Sequence, residues 1–221
     1  DGRYKLQIEK EVDNKHFSQF EGGLEKVSNF LNSKKNNYKN VGVDPLLISK
    51  HDFHFLENDL KRSKIQLKKI NVNLVDKIWH DKPKVPKSNI ITLSYKYTGE
   101  SHVNKILKLI SIIKKHEVDA YLLFRPDCLS WLLNIRDNQL KYSPVVRGIL
   151  IIQKSGRLHL FTEEKINKNL FKSYKNIELC NFRDLNKILK KLSKKSFLID
   201  PFATPIKIID LLKFNKIKSI E

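Results

Sequence analysis

Methionine is absent from the 221 residues, and cysteine and alanine each appear only twice. Cys128 and Cys180 cannot make a disulfide framework, and they lack the paired short spacing of a tetrathiolate zinc site, so a reducing, cytoplasmic setting is expected. No stretch reaches the ~18 uncharged apolar residues of a membrane span. The opening Asp1-Gly2-Arg3-Tyr4 is neither a basic n-region nor followed by an apolar h-region, so no membrane protein or secretory precursor is expected. The seven glycines form no phosphate-cradling cluster. Gly22-Gly23 has no strand before it and reads as a turn, while Ser155-Gly156 sits inside a hairpin and lacks the nucleophile-elbow pattern. With Asp at position 1 and no Met, the chain reads as a piece excised from a longer one.

What is abundant is lysine. Forty-three basic against twenty-four acidic side chains give a net charge of +19, which at low salt attracts phosphate polymers or anionic lipid. Of those cations 36 are Lys and only 7 are Arg, and Asn and Ile are also plentiful while Ala is scarce. Lys, Asn and Ile have AT-rich codons, so base composition accounts for much of the excess. Arginine, suited to bidentate phosphate and guanine contacts, is the cation that is not enriched. The surplus is roughly +4 over residues 1–80 and roughly +13 over 89–221, which predicts a basic face toward the end of the chain. A hydrophobic fraction of 40% with 30% charged residues places the chain among globular proteins rather than disordered ones.

Periodicity supplies the architecture. Residues 81–88, Asp-Lys-Pro-Lys-Val-Pro-Lys-Ser, cannot continue a helix and mark a linker between 1–80 and 89–221. Before it, helices are predicted over 4–12, 24–31, 52–62 and 74–79, with strands over 41–45 and 65–70. Leu24, Val27 and Leu31 share one face of the second helix. After the linker, a strand at 90–94 precedes a long amphipathic helix over 101–116, with Val103, Ile106, Leu107, Ile110 and Ile113 inward and Lys105, Lys108, Lys114 and Lys115 outward. The apolar run 120–124 is a buried strand, and Pro126 opens a helix presenting Leu129, Trp131, Leu132 and Leu133. Residues 148–152 and 158–161 form a hairpin, followed by helices at 163–171, 184–192 and 205–212 and strands at 177–179 and 197–199. Helices interleaved with strands imply an α/β layer structure with a mixed sheet; no repeat of fixed period is evident.

Few residues suggest chemistry. His51, His54 and Glu57 share a helix face, yet without a His-Glu-x-x-His pattern the reading is a solvated helix. Cys128 lies one turn into a helix, where the dipole lowers a thiol pKa; a packed thiol is preferred over a nucleophile. Cys180 follows an apolar strand and reads as core. Trp79 and Trp131 read as packing residues.

Four segments, in order, carry a resemblance: Asp1-Gly2-Arg3-Tyr4 before a helix, Val41-Gly42-Val43-Asp44-Pro45, Asn73-Leu74-Val75-Asp76-Lys77-Ile78-Trp79, and Trp131-Leu132-Leu133-Asn134-Ile135-Arg136. The series resembles the long, three-domain form of aminopeptidase P, an Xaa-Pro aminopeptidase of the creatinase/prolidase superfamily. Tyr97-Thr98-Gly99 and Tyr142-Ser143-Pro144-Val145 extend the match over nearly the whole chain. In that family two related non-catalytic α/β domains precede a pita-bread catalytic domain with a dinuclear site, usually of manganese, held by two aspartates, a histidine and two glutamates. The resemblance implies a mixed sheet flanked by helices in one partial and one nearly complete copy. Residues 1–80 would be the C-terminal half of the first domain and 89–221 the second. It also implies a scaffold that shapes substrate access for a catalytic domain acting on proline-containing peptides. No segment here resembles the third domain, so no catalytic residue, metal ligand or cofactor is assigned, and the chain alone is expected to be inactive.

The family pattern continues Asn-x-Arg-Gly-x-Asp and later Asn-Pro-Val, whereas this chain has Asp137-Asn138-Gln139 after Arg136 and Ser143 before Pro144. Asp137 in place of Gly suggests a residue asked to adopt positive φ. Two readings of Asn134, Arg136, Asp137 and Pro144 stand. In one they border the catalytic cleft; in the preferred one Asn134 and Arg136 satisfy buried backbone groups behind a core Trp131. Two whole-chain alternatives also remain, a basic nucleic-acid-binding module and an autonomous hydrolase using Cys128. Neither nucleic acid nor a membrane is expected as a partner. In a filter-binding titration across salt, the chain should retain no nucleic acid near physiological ionic strength; tight retention falling steeply with salt would favour the nucleic-acid module.

Overall fold

The computed structural model describes residues 2–33, 37–84, 86–87, 89–163, 168–172 and 174–220. The apolar runs assemble a six-stranded mixed sheet from β4 (Ala120–Leu123), β6 (Gly148–Gln153), β7 (Leu158–Thr162), β8 (Ile177–Asn181), β9 (Ser196–Ile199) and β10 (Lys216–Ser219), in the order β10-β9-β4-β6-β7-β8. β4 pairs parallel with β9 and antiparallel with β6. Both faces are covered. Alternate residues Leu150, Ile152, Leu158 and Leu160 pack against α6 (His102–Lys115) and α7 (Pro126–Leu133). Ala120, Leu122, Ile149, Ile151, Phe161 and Phe197 point the other way, toward α8 (Leu185–Lys191) and α9 (Ile206–Leu211). This double burial explains why the strands read as continuous apolar runs rather than alternating ones.

Ahead of this layer lie α1 (Lys5–Glu11), α2 (Leu24–Leu31), β1 (Asn40–Val43), α3 (Lys50–Lys61), β2 (Gln66–Lys69) and α4 (Leu74–Ile78). β1 and β2 form a parallel two-stranded sheet. α2 turns a polar residue inward. Ser28 is its buried residue and its hydroxyl donates to the Asp59 carboxylate on α3, while Val27 and Phe30 are exposed. The expected mixed sheet flanked by helices is therefore present in the six-stranded layer.

The segment around α3 and the segment around α9 meet through a reciprocal contact that no fixed sequence period announces. Val43-Asp44-Pro45 leads from β1 into α3, and Ile199-Asp200-Pro201 leads from β9 into α9. In each turn the aspartate Oδ1 accepts a hydrogen bond from the amide two residues on, Leu46 or Phe202, at 2.9 Å. Ser49 and Pro205, the residues preceding the two helices, form an antiparallel bridge. The amides of Lys50 and His51 donate to Thr204 and Pro201 carbonyls, and those of Ile206 and Lys207 donate to Ile48 and Pro45 carbonyls, at 2.8–3.0 Å. Each helix thus has its first orphan amides satisfied by the turn that precedes the other. The Lys69–Asp210 ion pair at 2.6 Å spans the same junction but is exposed enough to contribute at most about 1 kcal/mol. Burial of Phe53, Leu56, Leu60 and Ile65, each worth about 1.5–3 kcal/mol, does more to hold residues 1–80 folded.

Several boundaries differ from the sequence reading. β3 (Ile91–Thr92) pairs with β5 (Ile135–Arg136), and α5 (Tyr95–Thr98) occupies the Tyr97-Thr98-Gly99 segment; β5, α5 and β10 are too short or too polar to show periodicity. Of the helix expected over 163–171, residues 164–167 lie outside the described ones and 168–171 form a 3-10 turn. Lys105, expected outward, is 3% exposed. Trp79 and Trp131, expected as packing residues, are 44% and 55% exposed. Among the described residues no helix is long and apolar enough to cross a membrane.

Asp119 fastens the start of β4 to β9. Its carboxylate accepts from the Ser196 amide and hydroxyl and from Lys154 Nζ, at 2.8–3.0 Å. The Lys154 and Ser196 bonds hold its pKa at about 2, against an ordinary 3.8. A depressed folded-state pKa contributes stability above the unfolded value that is lost as pH falls through the folded one. Asp119→Asn should therefore flatten the loss of stability between about pH 4 and pH 2, read from urea midpoints across that range.

Candidate functional site

The segment after α7 gathers the residues singled out by the sequence. α7 stops at Asn134, whose φ of 51° and ψ of 42° are left-handed, a conformation that Asn tolerates better than most residues. Asn134 is 2% exposed; its Nδ2 donates to the Glu100 carbonyl at 2.9 Å, and its Oδ1 accepts from Lys105 Nζ at 2.7 Å. Lys105 also donates to the Trp131 carbonyl at 2.8 Å and lies 4.0 Å from the centre of the Trp131 ring. Trp131 therefore covers a buried cation instead of filling the core, which explains why a large aromatic stays half in solvent. Burial lowers the Lys105 pKa, opposed by Glu100 and aided by Arg136.

Arg136 Nη1 donates to the carbonyls of Ser130 at 3.1 Å and Ile135 at 2.8 Å, while the Ser130 hydroxyl accepts from the Val146 amide at 2.8 Å. Asp137 is buried, and its Oδ1 accepts from the amides of Asn89 and Asn138 at 2.9 and 2.7 Å. It is not among the residues with positive φ, so the expected backbone strain is absent. The carboxylate instead ties the backbone at Asn89, just ahead of β3, to the loop. Pro144 is exposed in the turn before β6. Asn134 and Asp137 thus hold the loop, and Arg136 and Pro144 present its outer edge.

The other candidates stand apart. His51 pairs with Asp52 at 3.1 Å and stacks on Phe202, and His54 lies 3.5 Å from Glu57, so they form no common ligand set. Cys128 is exposed rather than packed. Partial burial of its sulfur and the neighbouring Asp127 raise its pKa, opposite to the lowering expected from the helix dipole, which argues against a thiolate nucleophile. Cys180 is half-buried, and burial pushes its thiol up to about 11.

One grouping escaped the sequence reading. His159 on β7 and Glu178 and Cys180 on β8 bring ligand atoms within 4.8 Å of one another, among the described residues the one cluster of three or more potential metal ligands. Its members come from two strands and show no local spacing. The pairing of β7 with β8, visible only in the structure, is the signal that unites them.

The loop's knot is testable through Asn134. Asn134→Ala removes two buried hydrogen bonds and puts Cβ strain on a left-handed residue without a compensating amide, costing about 2–4 kcal/mol in urea unfolding. Asn134→Gly, which accepts the backbone geometry, should recover about 1 kcal/mol of that loss.

Comparison with known proteins places this geometry in a family. The model of the creatinase/prolidase N-terminal domain matches residues 81–221. A probable Xaa-Pro aminopeptidase P of Laccaria bicolor is 34% identical over 156 residues, which are 69% of this chain and 24% of the relative. Xaa-Pro aminopeptidase 1 of Dictyostelium discoideum is 31% identical over 178 residues, 76% of this chain and 28% of the relative. The chain thus spans about a quarter of the length of these curated relatives. The crystal structure of an X-prolyl aminopeptidase from Caenorhabditis elegans, described as a cytosolic enzyme with a di-nuclear active site, superposes with a TM-score of 0.82. That likeness covers 100% of this chain and 38% of the other at 22% identity, and is one of fold. The chain belongs to the creatinase/prolidase N-terminal domain family.

Proposed function

We propose that the chain serves as the non-catalytic N-terminal region of an aminopeptidase P-like Xaa-Pro aminopeptidase, a scaffold that shapes substrate access to a catalytic domain of the pita-bread type. The observation that carries this reading is the lopsided coverage: Xaa-Pro aminopeptidases match most of this chain, whereas the chain spans only 24–28% of them. In this reading residues 1–80 are the C-terminal half of a first domain, 81–88 a linker and 89–221 a second domain, working in the cytoplasm. The catalytic partner would hold the dinuclear centre, with manganese as its metal.

The donor set in this chain does not fit such a centre. His159, Glu178 and Cys180 mix nitrogen, oxygen and sulfur, whereas manganese favours carboxylate and water oxygen. No step of peptide hydrolysis is therefore assigned to these residues. What the chain supplies is shape and one loop. Asn134 and Asp137 fix its backbone, and Arg136 leaves Nε and Nη2 without a hydrogen bond among the described residues, available to a peptide carbonyl or carboxylate. Pro144 and the exposed Trp131 ring add an apolar border for a proline-containing peptide.

The test is a pair of preparations assayed by mass spectrometry on an Xaa-Pro peptide. The chain alone, supplied with Mn²⁺, is expected to release no N-terminal residue. Fused ahead of the catalytic domain of an Xaa-Pro aminopeptidase, it should support release, and Arg136→Ala in that fusion should raise KM about tenfold, the cost of one charge-assisted hydrogen bond. Hydrolysis by the isolated chain would overturn the scaffold reading.

A further inference from the structure

We propose that His159 Nδ1, the Glu178 carboxylate and the Cys180 thiolate form a three-ligand site for a thiophilic divalent cation, zinc in the first place. The proposal is independent of the peptidase reading, since it concerns one edge of the six-stranded sheet and no catalytic domain.

Register brings the three together. His159 is paired with Glu178 across β7 and β8, and Cys180 lies two residues along β8 from Glu178, so all three side chains share the α8 face of the sheet. His159 is 5% exposed, yet its Nδ1 makes no hydrogen bond. Glu178 Oε2 lies 3.2 Å from that atom, close enough to pair with a charged ring. A cation seated between the two atoms would bond to both and satisfy the buried nitrogen. Zinc bonds of about 2.0–2.1 Å to N and O and about 2.3 Å to S put tetrahedral ligand atoms about 3.3–3.6 Å apart. The nitrogen and oxygen already stand at that spacing, and all three ligand atoms lie within 4.8 Å of one another, so rotation of the Cys180 side chain would complete the set.

The surroundings supply the remaining requirements. Gln153 Nε2 lies 3.0 Å from His159 Nε2. Exchange of the amide's nitrogen and oxygen positions would let Oε1 accept from Nε2–H and leave a lone pair at Nδ1 for the metal. Burial lowers the His159 pKa, against the pull of Glu178, whose carboxylate would accept a hydrogen bond from the charged ring, and with Arg157 and Lys191 adding to the lowering, which favours the neutral, ligating ring. The Cys180 thiol, which donates to the Glu178 carbonyl at 3.6 Å, enters protonated, with Glu178 and Asp184 adding to the effect of burial. Binding therefore forms bonds from nitrogen, oxygen and sulfur to the metal and releases the thiol proton to solvent. Carboxylate and thiolate then balance the 2+ charge, which the nearby cations Arg157 and Lys191 would not allow for a weakly held, hard ion. The exposed side of Glu178 leaves a fourth position for water.

Cobalt reports this directly. Titrated under reducing conditions with Co²⁺, the full chain is expected to gain a thiolate-to-cobalt charge-transfer band and tetrahedral visible absorption, saturating at one ion per chain and displaced by Zn²⁺. Zinc uptake at pH 7 should release about one proton. Cys180→Ser should lose the charge-transfer band while Cys128→Ser keeps it. The exposed Glu178→Gln, which leaves the core untouched, should weaken affinity at least about tenfold. Absence of the band at saturating Co²⁺, its survival in Cys180→Ser, its loss in Cys128→Ser, or unchanged affinity in Glu178→Gln would each overturn the site.

Discussion

Two helix N-termini that supply each other's missing acceptors hold the molecule in one piece. The first turns of α3 and α9 each carry amides with no partner inside their own helix, and the Asp-Pro turns at 44–45 and 200–201 offer carbonyls in reciprocal register. Because the bonds run both ways, neither helix can shift without opening bonds at both N-termini. The Lys69–Asp210 pair reinforces a geometry that the backbone has already fixed. A single lost bond costs about 0.5–1.5 kcal/mol, but the four are coupled through two rigid helices.

From that junction the six-stranded sheet fans out, and its two covered faces decide what each end presents. The face under α6 and α7 ends in the Asn134 knot, where one left-handed residue, one buried lysine and one exposed tryptophan replace a conventional hydrophobic cap. The face under α8 ends at the β7–β8 edge, where the side chains change from leucine, isoleucine and phenylalanine to histidine, glutamate and cysteine. Polar chemistry is thus confined to places where the layering runs out, as expected when sheet interiors tolerate only apolar side chains.

The elements that the sequence made legible are those with long or repeated apolar spacing. The helix at 102–115, the hairpin at 148–162 and the buried strand at 120–123 all lie where periodicity put them. Short or polar elements were not legible: Ile135–Arg136 and Lys216–Ser219 become strands only because a neighbour offers an edge. Lys105 shows the limit of helical spacing, since its place beside inward residues gave no hint that a carbonyl, an amide oxygen and an indole ring would wait for its ammonium. The same limit hid His159, Glu178 and Cys180, whose proximity is a matter of strand register. The reciprocal turns leave no periodic trace because their shared pattern is brief, an apolar residue followed by Asp-Pro, and the two instances lie far apart in the chain.

The burial of Lys105 has a chemical corollary. Amine reagents such as anhydrides and succinimidyl esters attack the unprotonated, accessible form of lysine, and the many surface lysines of this chain offer it freely. Lys105 offers it only when α6 parts from α7 and the indole lid lifts. Its acylation rate therefore clocks the breathing of that seam, a motion to which the other lysines are deaf.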